Sequence, residues 1–149
     1  MKTLCLHFNE LNTSRLYQVM SLRQEVFVVE QNCPYLDTDG KDQFSWHVMF
    51  LDENENLSAY CRLLPKGVSY EKYPSIGRIL TAPAARKRGL GKQLMKFSIA
   101  KAEELFGRTA IKISAQCYLE NFYKSFGFEP VGEMYLEDDI PHIAMIRNV

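Results

Sequence analysis

The sequence predicts an α/β domain in which helices flank a mixed, mostly antiparallel sheet. Three observations carry this expectation. Apolar residues alternate in seven short runs and recur at helical spacing in three others, and the order of the runs is β-α-β-β-β-α-β-α-β-β. A chain of 149 residues suits one domain, residues 1–149, that buries about two-thirds of its unfolded surface. No repeat, linker or low-complexity stretch divides it.

The first strand is "TLCLHF", where Leu4 and Leu6 alternate with Cys5 and His7. A helix begins at Thr13 or Ser14, both good N-cap residues, and runs to Phe27 or as far as Glu30. Its apolar stripe is Leu16, Val19, Met20, Val26 and Phe27; Arg23 falls inside that stripe, as does Glu30 if the helix continues. After the turn-rich "QNCPYLDTDGKDQ", the strands "WHVMFL" and "LSAYCRLL" form a hairpin across "DENEN", with Asn54 or Asn56 in the turn. "SIGRILT" is the next strand, closed by Pro83, and a helix follows from about Gly89 to Phe106. The strand "AIKISA", a short helix "LENFYKSFG" and two strands around "PVGEMYL" and "IPHIAMI" complete the order.

Composition excludes several classes of function. Lys plus Arg equals Asp plus Glu at 18 each, so bulk attraction to nucleic acid or to a membrane surface is not expected. The cysteines, Cys5, Cys33, Cys61 and Cys117, form no C-x-x-C pair, and neither a disulfide framework nor a zinc site is expected. Cys5 and Cys61 lie in apolar runs and read as small core residues. No apolar run approaches the roughly 18 residues of a membrane span, and the N-terminus lacks the form of a signal peptide. A cytoplasmic location is the expectation.

The start of the 89–106 helix is the odd feature. Arg86, Lys87, Arg88 and Lys92 gather where the helix dipole disfavours cations by about 0.3–1 kcal/mol each. A solvated basic turn eased by glycines is one reading. The other is an anion site, in which open N–H groups and the dipole bind a phosphate or pyrophosphate and the cations neutralise it. At 100° per residue, Gly91, Leu94, Met95, Ser98, Ile99, Ala102, Leu105 and Phe106 share the face expected to lie on the sheet. Gly91 would then sit beneath the helix, and Gly89 would leave backbone N–H groups open. Two nucleotide signatures fail. The P-loop needs Ser or Thr where Gln93 stands, and G-x-G-x-x-G needs a small residue at Leu94.

The pattern R-x-x-G-x-G, read as Arg86, Gly89 and Gly91, resembles the pyrophosphate loop of the GNAT acetyltransferases. "NFYKSFGF" is similar to that family's segment with asparagine, tyrosine and a closing glycine-aromatic pair, and the element order matches. "LRQEVFVVEQNCPYLDTDGKD", "IGRIL" and "DDIPHIAM" resemble the ElaA-like group of small bacterial GNAT proteins. The resemblance implies acetyl-CoA as co-substrate. It implies backbone contacts from Ile79 and Thr81 to the pantetheine arm, where the family's strand splays from its neighbour. It further implies that Arg86, Lys87, Arg88, Gly89, Leu90, Gly91 and Lys92 hold the pyrophosphate and that Asn121 faces the arm. Thr81 departs from the valine more usual in the family, a change of little weight for a backbone contact.

Acetyl transfer to an amine has three requirements. At pH 7 only about one lysine-like amine in a few thousand is neutral, so deprotonation costs about 4–5 kcal/mol. The carbonyl oxygen needs a donor, and the departing thiolate benefits from an acid. Tyr123 occupies the tyrosine position of the family pattern and is the candidate acid, against a reading as a packed ring. Phe122, Phe126 and Phe128 are expected in the core. His142, just after Pro141, is a candidate base or a structural histidine; Glu30 is the alternative, and a base acting through ordered water is a third option. His7 and His47 read as structural.

"DTDGKD" carries Asp37, Asp39 and Asp42, but its glycine stands fourth rather than sixth and no glutamate stands twelfth, so a calcium loop is not expected. A solvated turn or an acidic rim that attracts a cationic substrate remain, and Glu137, Asp138 and Asp139 would extend such a rim. The function expected is an N-acetyltransferase acting on a primary amine of a small molecule or protein, without nucleic acid, membrane or metal. The alternative is a non-enzymatic acyl-CoA sensor on the same fold. A homodimer is left open.

Overall fold

A computed structural model describes residues 1–149. Strand β1 (Lys2–His7) leads to helix α1 (Thr13–Arg23), capped by the Asn12 side chain, which accepts from Arg15 N at 2.8 Å. The helix continues as wider turns over Gln24–Glu30, with Gln31 N bonded to Val26 O and Cys33 N to Val28 O, five residues back. Strands β2 (Trp46–Leu51), β3 (Leu57–Leu64) and β4 (Ser75–Thr81) follow, then helix α2 (Leu90–Phe106) and strand β5 (Ile111–Gln116). A short helix α3 (Glu120–Lys124) and strands β6 (Phe128–Glu137) and β7 (Ile140–Arg147) end the chain. The observed order of strands and helices is the expected one.

The sheet is split. Strands pair in the order β1-β2-β3-β4 in one half and β5-β7-β6 in the other, and every pairing is antiparallel. The mixed character expected from the sequence is confined to β4 and β5, parallel neighbours joined through α2. They are bonded to each other only at their starts, where Lys112 N reaches Pro74 O at 3.1 Å. Beyond that point they diverge. On β4 the divergence coincides with a bulge. Tyr60 lies opposite Leu80 and Arg62 opposite Gly77, so β4 carries one extra residue, and Arg78 there has φ +51°. An extra residue bends its strand and increases the local twist.

Both faces of the first half-sheet are covered, which explains why every residue of β3 is buried. Val48, Phe50, Ala59, Cys61 and Leu63 meet Leu94, Met95 and Ile99 of α2, together with Ile113, Tyr123 and Phe128. Met49, Leu51, Tyr60 and Leu80 meet Val19, Leu22 and Val26 on the α1 side. Each large aliphatic or phenylalanine side chain among these contributes about 1.5–3 kcal/mol by leaving water. No helix is long and apolar enough to cross a membrane.

Candidate active site

The divergence of β4 and β5 opens a cleft of about 570 Å³. Its walls are Ile76–Thr81 of β4, Ile113, Ser114 and Gln116 of β5, the wide turns after α1, and Phe122 and Tyr123 of α3. Arg86 and Gly91 lie on its lining, as do Asp37, Glu137, Asp138 and His142. Of the residues singled out from sequence, Ile79, Thr81, Arg86, Gly91, Tyr123, His142 and Glu30 line the cleft. Lys87, Arg88, Gly89, Leu90, Lys92 and Asn121 do not; Asn121 is exposed on α3.

Backbone direction explains Thr81. Ala82 N bonds Ser58 O on β3 at 2.8 Å, and successive strand residues point their backbone groups to opposite sides. Thr81 therefore presents its groups to the gap, where its carbonyl accepts from Arg86 Nε at 3.3 Å.

The structure separates the two glycines of the basic turn: Gly89 leaves the first turn uncapped, as expected, and the close approach expected at Gly91 is absent. Gly89 is the N-cap of α2 in the left-handed region, at φ +73°, and no side chain caps the first turn. Gly91 is half-buried, facing Phe122 on the cleft lining, and is not pressed against the sheet. Leu90 takes the buried position instead, at 6% exposure, and a Cβ on Gly91 would stand 3.7 Å from the Phe122 ring, an ordinary contact. The helix starts one residue later than drawn from sequence, with Leu90, Leu94, Met95, Ser98, Ile99 and Ala102 buried and Leu105 partly exposed. We therefore expect Gly89→Ala to lower the melting temperature by about 2–8 °C, because a left-handed non-glycine residue costs about 1–2 kcal/mol. Gly91→Ala should cause no comparable loss, since alanine favours helix. Equal losses from both in a thermal melt would restore a close approach at Gly91.

Tyr123 is 5% exposed, its ring edge-on to Phe122 and Phe128, with centroids at 5.2 and 6.2 Å. Burial pushes its phenol well above the ordinary value near 10. It stays protonated at neutral pH, as an acid must. His142 is 6% exposed and stacked on Tyr135. Its Nδ1 lies 2.7 Å from the Ile140 carbonyl, which can only accept, so Nδ1 carries the hydrogen. In the neutral ring Nε2 then holds the lone pair, 3.4 Å from the Glu137 carboxylate. That tautomer can take a proton at Nε2.

Glu30 does not lie on an inner stripe. Wider turns carry fewer degrees per residue, so by Glu30 the chain has rotated away from the face that Arg23 occupies. Glu30 is exposed and forks onto Arg86, with Oε2 2.8 Å from Nη1 and Oε1 2.6 Å from Nη2. The hydrogen bond from Arg86 holds its carboxyl below the usual range.

The acidic loop is neither a solvated turn nor a free acidic rim. Asp37, Asp39 and Asp42 alternate with Arg23, Arg62 and Arg78 in a closed ring. Arg23 binds Asp37 at 2.8 Å and Asp42 at 2.6 Å, and Arg78 binds Asp37 at 2.8 Å and Asp39 at 3.4 Å. Arg62 closes the ring through Asp42 at 2.9 Å and through Asp39. Arg23, Arg62 and Asp42 are buried. His47 is structural, as expected. Its Nε2 donates to Asp42 O at 3.0 Å and its Nδ1 accepts from the Tyr60 hydroxyl at 2.7 Å. The only sequence signals of the ring were Arg23 inside an apolar stripe and three acids in one loop. Arg62 and Arg78 gave none. A second unforeseen feature is the turn of the β6–β7 hairpin, which is tied across the cleft to the segment after α1. The Tyr35 hydroxyl donates to Asp139 Oδ2 at 2.5 Å, and Cys33 Sγ lies 3.4 Å from Asp138 O.

Known proteins share both the sequence and the fold. Residues 38–149 match the acetyltransferase (GNAT) domain family. Protein ElaA of Escherichia coli strain K12 is 43% identical over 145 residues, 97% of this chain and 94% of that protein. The crystal structure of E. coli ElaA aligns with a TM-score of 0.91 at 41% identity, covering 99% of this chain and 100% of that chain. The crystal structure of an acyl-CoA N-acyltransferase from Pseudomonas aeruginosa aligns with a TM-score of 0.92 at 44% identity, covering 99% of each chain.

Proposed function

This chain belongs to the acetyltransferase (GNAT) domain family, among its ElaA-like members, and we propose that it transfers the acetyl group of acetyl-CoA to a primary amine of a small molecule or protein. The observation that carries the reading is the cleft between β4 and β5. One lining joins Arg86, just before α2, and Gly91, in its first turn, with Tyr123 and with the His142–Glu137 pair.

The residues fit the co-substrate. The first turn of α2 has no capping side chain and no acid, so its N–H groups are free for a diphosphate, with Arg86, Lys87, Arg88 and Lys92 nearby. Thr81 offers backbone groups to an amide-bearing arm, as the edge of a strand offers them to an added strand. Bound acetyl-CoA supplies the thioester whose acetyl group passes to the amine. Tyr123 then acts as the acid that delivers a proton to the departing sulfur. His142 Nε2, 3.4 Å from the Glu137 carboxylate, receives the proton that the amine must lose.

The test has two parts. CoA should raise the melting temperature by mass action, about 2.7 kcal/mol of stabilisation at a concentration 100 times its Kd. Pantetheine, which lacks the phosphates, should do so far less; equal shifts would reject the phosphate site. Free thiol released from acetyl-CoA should then be followed across a panel of amines. A CoA-stabilised protein that releases thiol with none of them would instead be an acyl-CoA sensor.

A further inference from the structure

Arg86 is already occupied. Both Nη groups fork onto the Glu30 carboxylate at 2.8 and 2.6 Å, and Nε reaches the Thr81 carbonyl at 3.3 Å. Carboxylate and phosphate present the same bidentate edge to a guanidinium, so one excludes the other from that edge. The Thr81 carbonyl is also a group that the proposed arm of the co-substrate would use. One side chain thus covers two points of the cleft at once.

The position of Glu30 is a product of unusual backbone. A regular helix would return Glu30, seven residues after Arg23, to the face on the sheet. The wide turns over Gln24–Glu30 rotate it to the cleft instead. Such turns are rare and are frequently found at functional sites. The two side chains are 40% and 42% exposed, so the pair can open without disturbing the core.

We infer that Glu30 is an internal occupant of the phosphate site, a strap that holds Arg86 across the cleft and must release it before a diphosphate can bind. The inference rests on the phosphate reading of residues 86–92. Glu30 thereby lowers co-substrate affinity, and its role in the cleft is competition with the phosphate rather than proton removal from the amine.

Titration calorimetry with CoA on four proteins tests this: the wild type, Glu30→Gln, Arg86→Gln and the double variant. Glu30→Gln should bind CoA about 2–5-fold more tightly, the scale of a well-formed but exposed ion pair. The gain should vanish in the Arg86→Gln background, because the coupling runs through that guanidinium. Unchanged or weaker binding by Glu30→Gln would overturn the inference. So would an equal gain in both backgrounds, which would reflect loss of a negative charge alone. If Arg86→Gln binds CoA as the wild type does, the phosphate reading falls first and the strap with it, a result distinct from the other two.

Discussion

Replacing Tyr123 by phenylalanine is expected to lower kcat by about 10²–10⁴-fold, the usual contribution of a general acid. The ring would keep its edge-on contacts with Phe122 and Phe128, so the variant loses little but the hydroxyl. Affinity for CoA and the melting temperature should scarcely move, because the thioester sulfur gains little from the hydroxyl before the bond breaks. The pH–rate profile adds a second readout. Burial holds the phenol protonated well past its ordinary value near 10, so its acid form persists across the accessible pH range. The profile should therefore keep its shape in the variant while its height falls. If the hydroxyl were structural, stability would fall by about 1 kcal/mol and turnover would persist. A folded variant with wild-type kcat would falsify the acid assignment and leave the family membership standing.

The largest effect on stability is expected at the Arg–Asp ring. Asp42 accepts from Nη1 of both Arg23 and Arg62, and all three residues are buried. Removing the carboxylate leaves two guanidiniums in the interior with one acceptor fewer. Arg62 Nε is already without a partner. Breaking a buried ion pair costs about 3–5 kcal/mol, and Asp42→Ala should approach that figure in urea unfolding. Asp42→Asn keeps the shape and should lie lower. A loss below about 1 kcal/mol for Asp42→Ala would place the ring among surface pairs of little worth.

Acid should act on the same ring. Burial alone would raise the Asp39 and Asp42 carboxyls. The hydrogen bonds and charge of Arg62 at Asp39, and of Arg23 first and Arg62 second at Asp42, outweigh it and hold both below the usual carboxylate range. A group depressed in the folded state stabilises fully above its unfolded value, near 3.9, and loses that contribution as pH falls toward the folded value. The urea midpoint should therefore drop below about pH 4, and more gently in Asp42→Asn, which has one such proton fewer to take up.

The element order, the apolar alternation of the strands and the stripe of α2 were legible in the sequence, because each depends on residues within one or two turns or pleats of each other. So was the basic turn with Gly89 and Gly91; Tyr123 and His142, picked out as candidates, line the cleft. These rest on local pattern or on family resemblance. The rest depended on which distant segments the fold brings together. Arg23 meets Asp37 across 14 residues, Arg78 meets Asp37 across 41 and Arg86 meets Glu30 across 56. Charges carry no local periodicity that identifies a partner at such separations. The acids of the "DTDGKD" turn therefore read as solvated until the bulge on β4 brought Arg78 against them. The close approach expected at Gly91 failed for a related reason: the space beside a helical face is set by distant chain, and Phe122 leaves room there for a Cβ at 3.7 Å. Sequence alone determined the elements and the chemistry at hand. Tertiary structure decided which charges neutralise each other and which remain free to act, because pairing depends on distance in space.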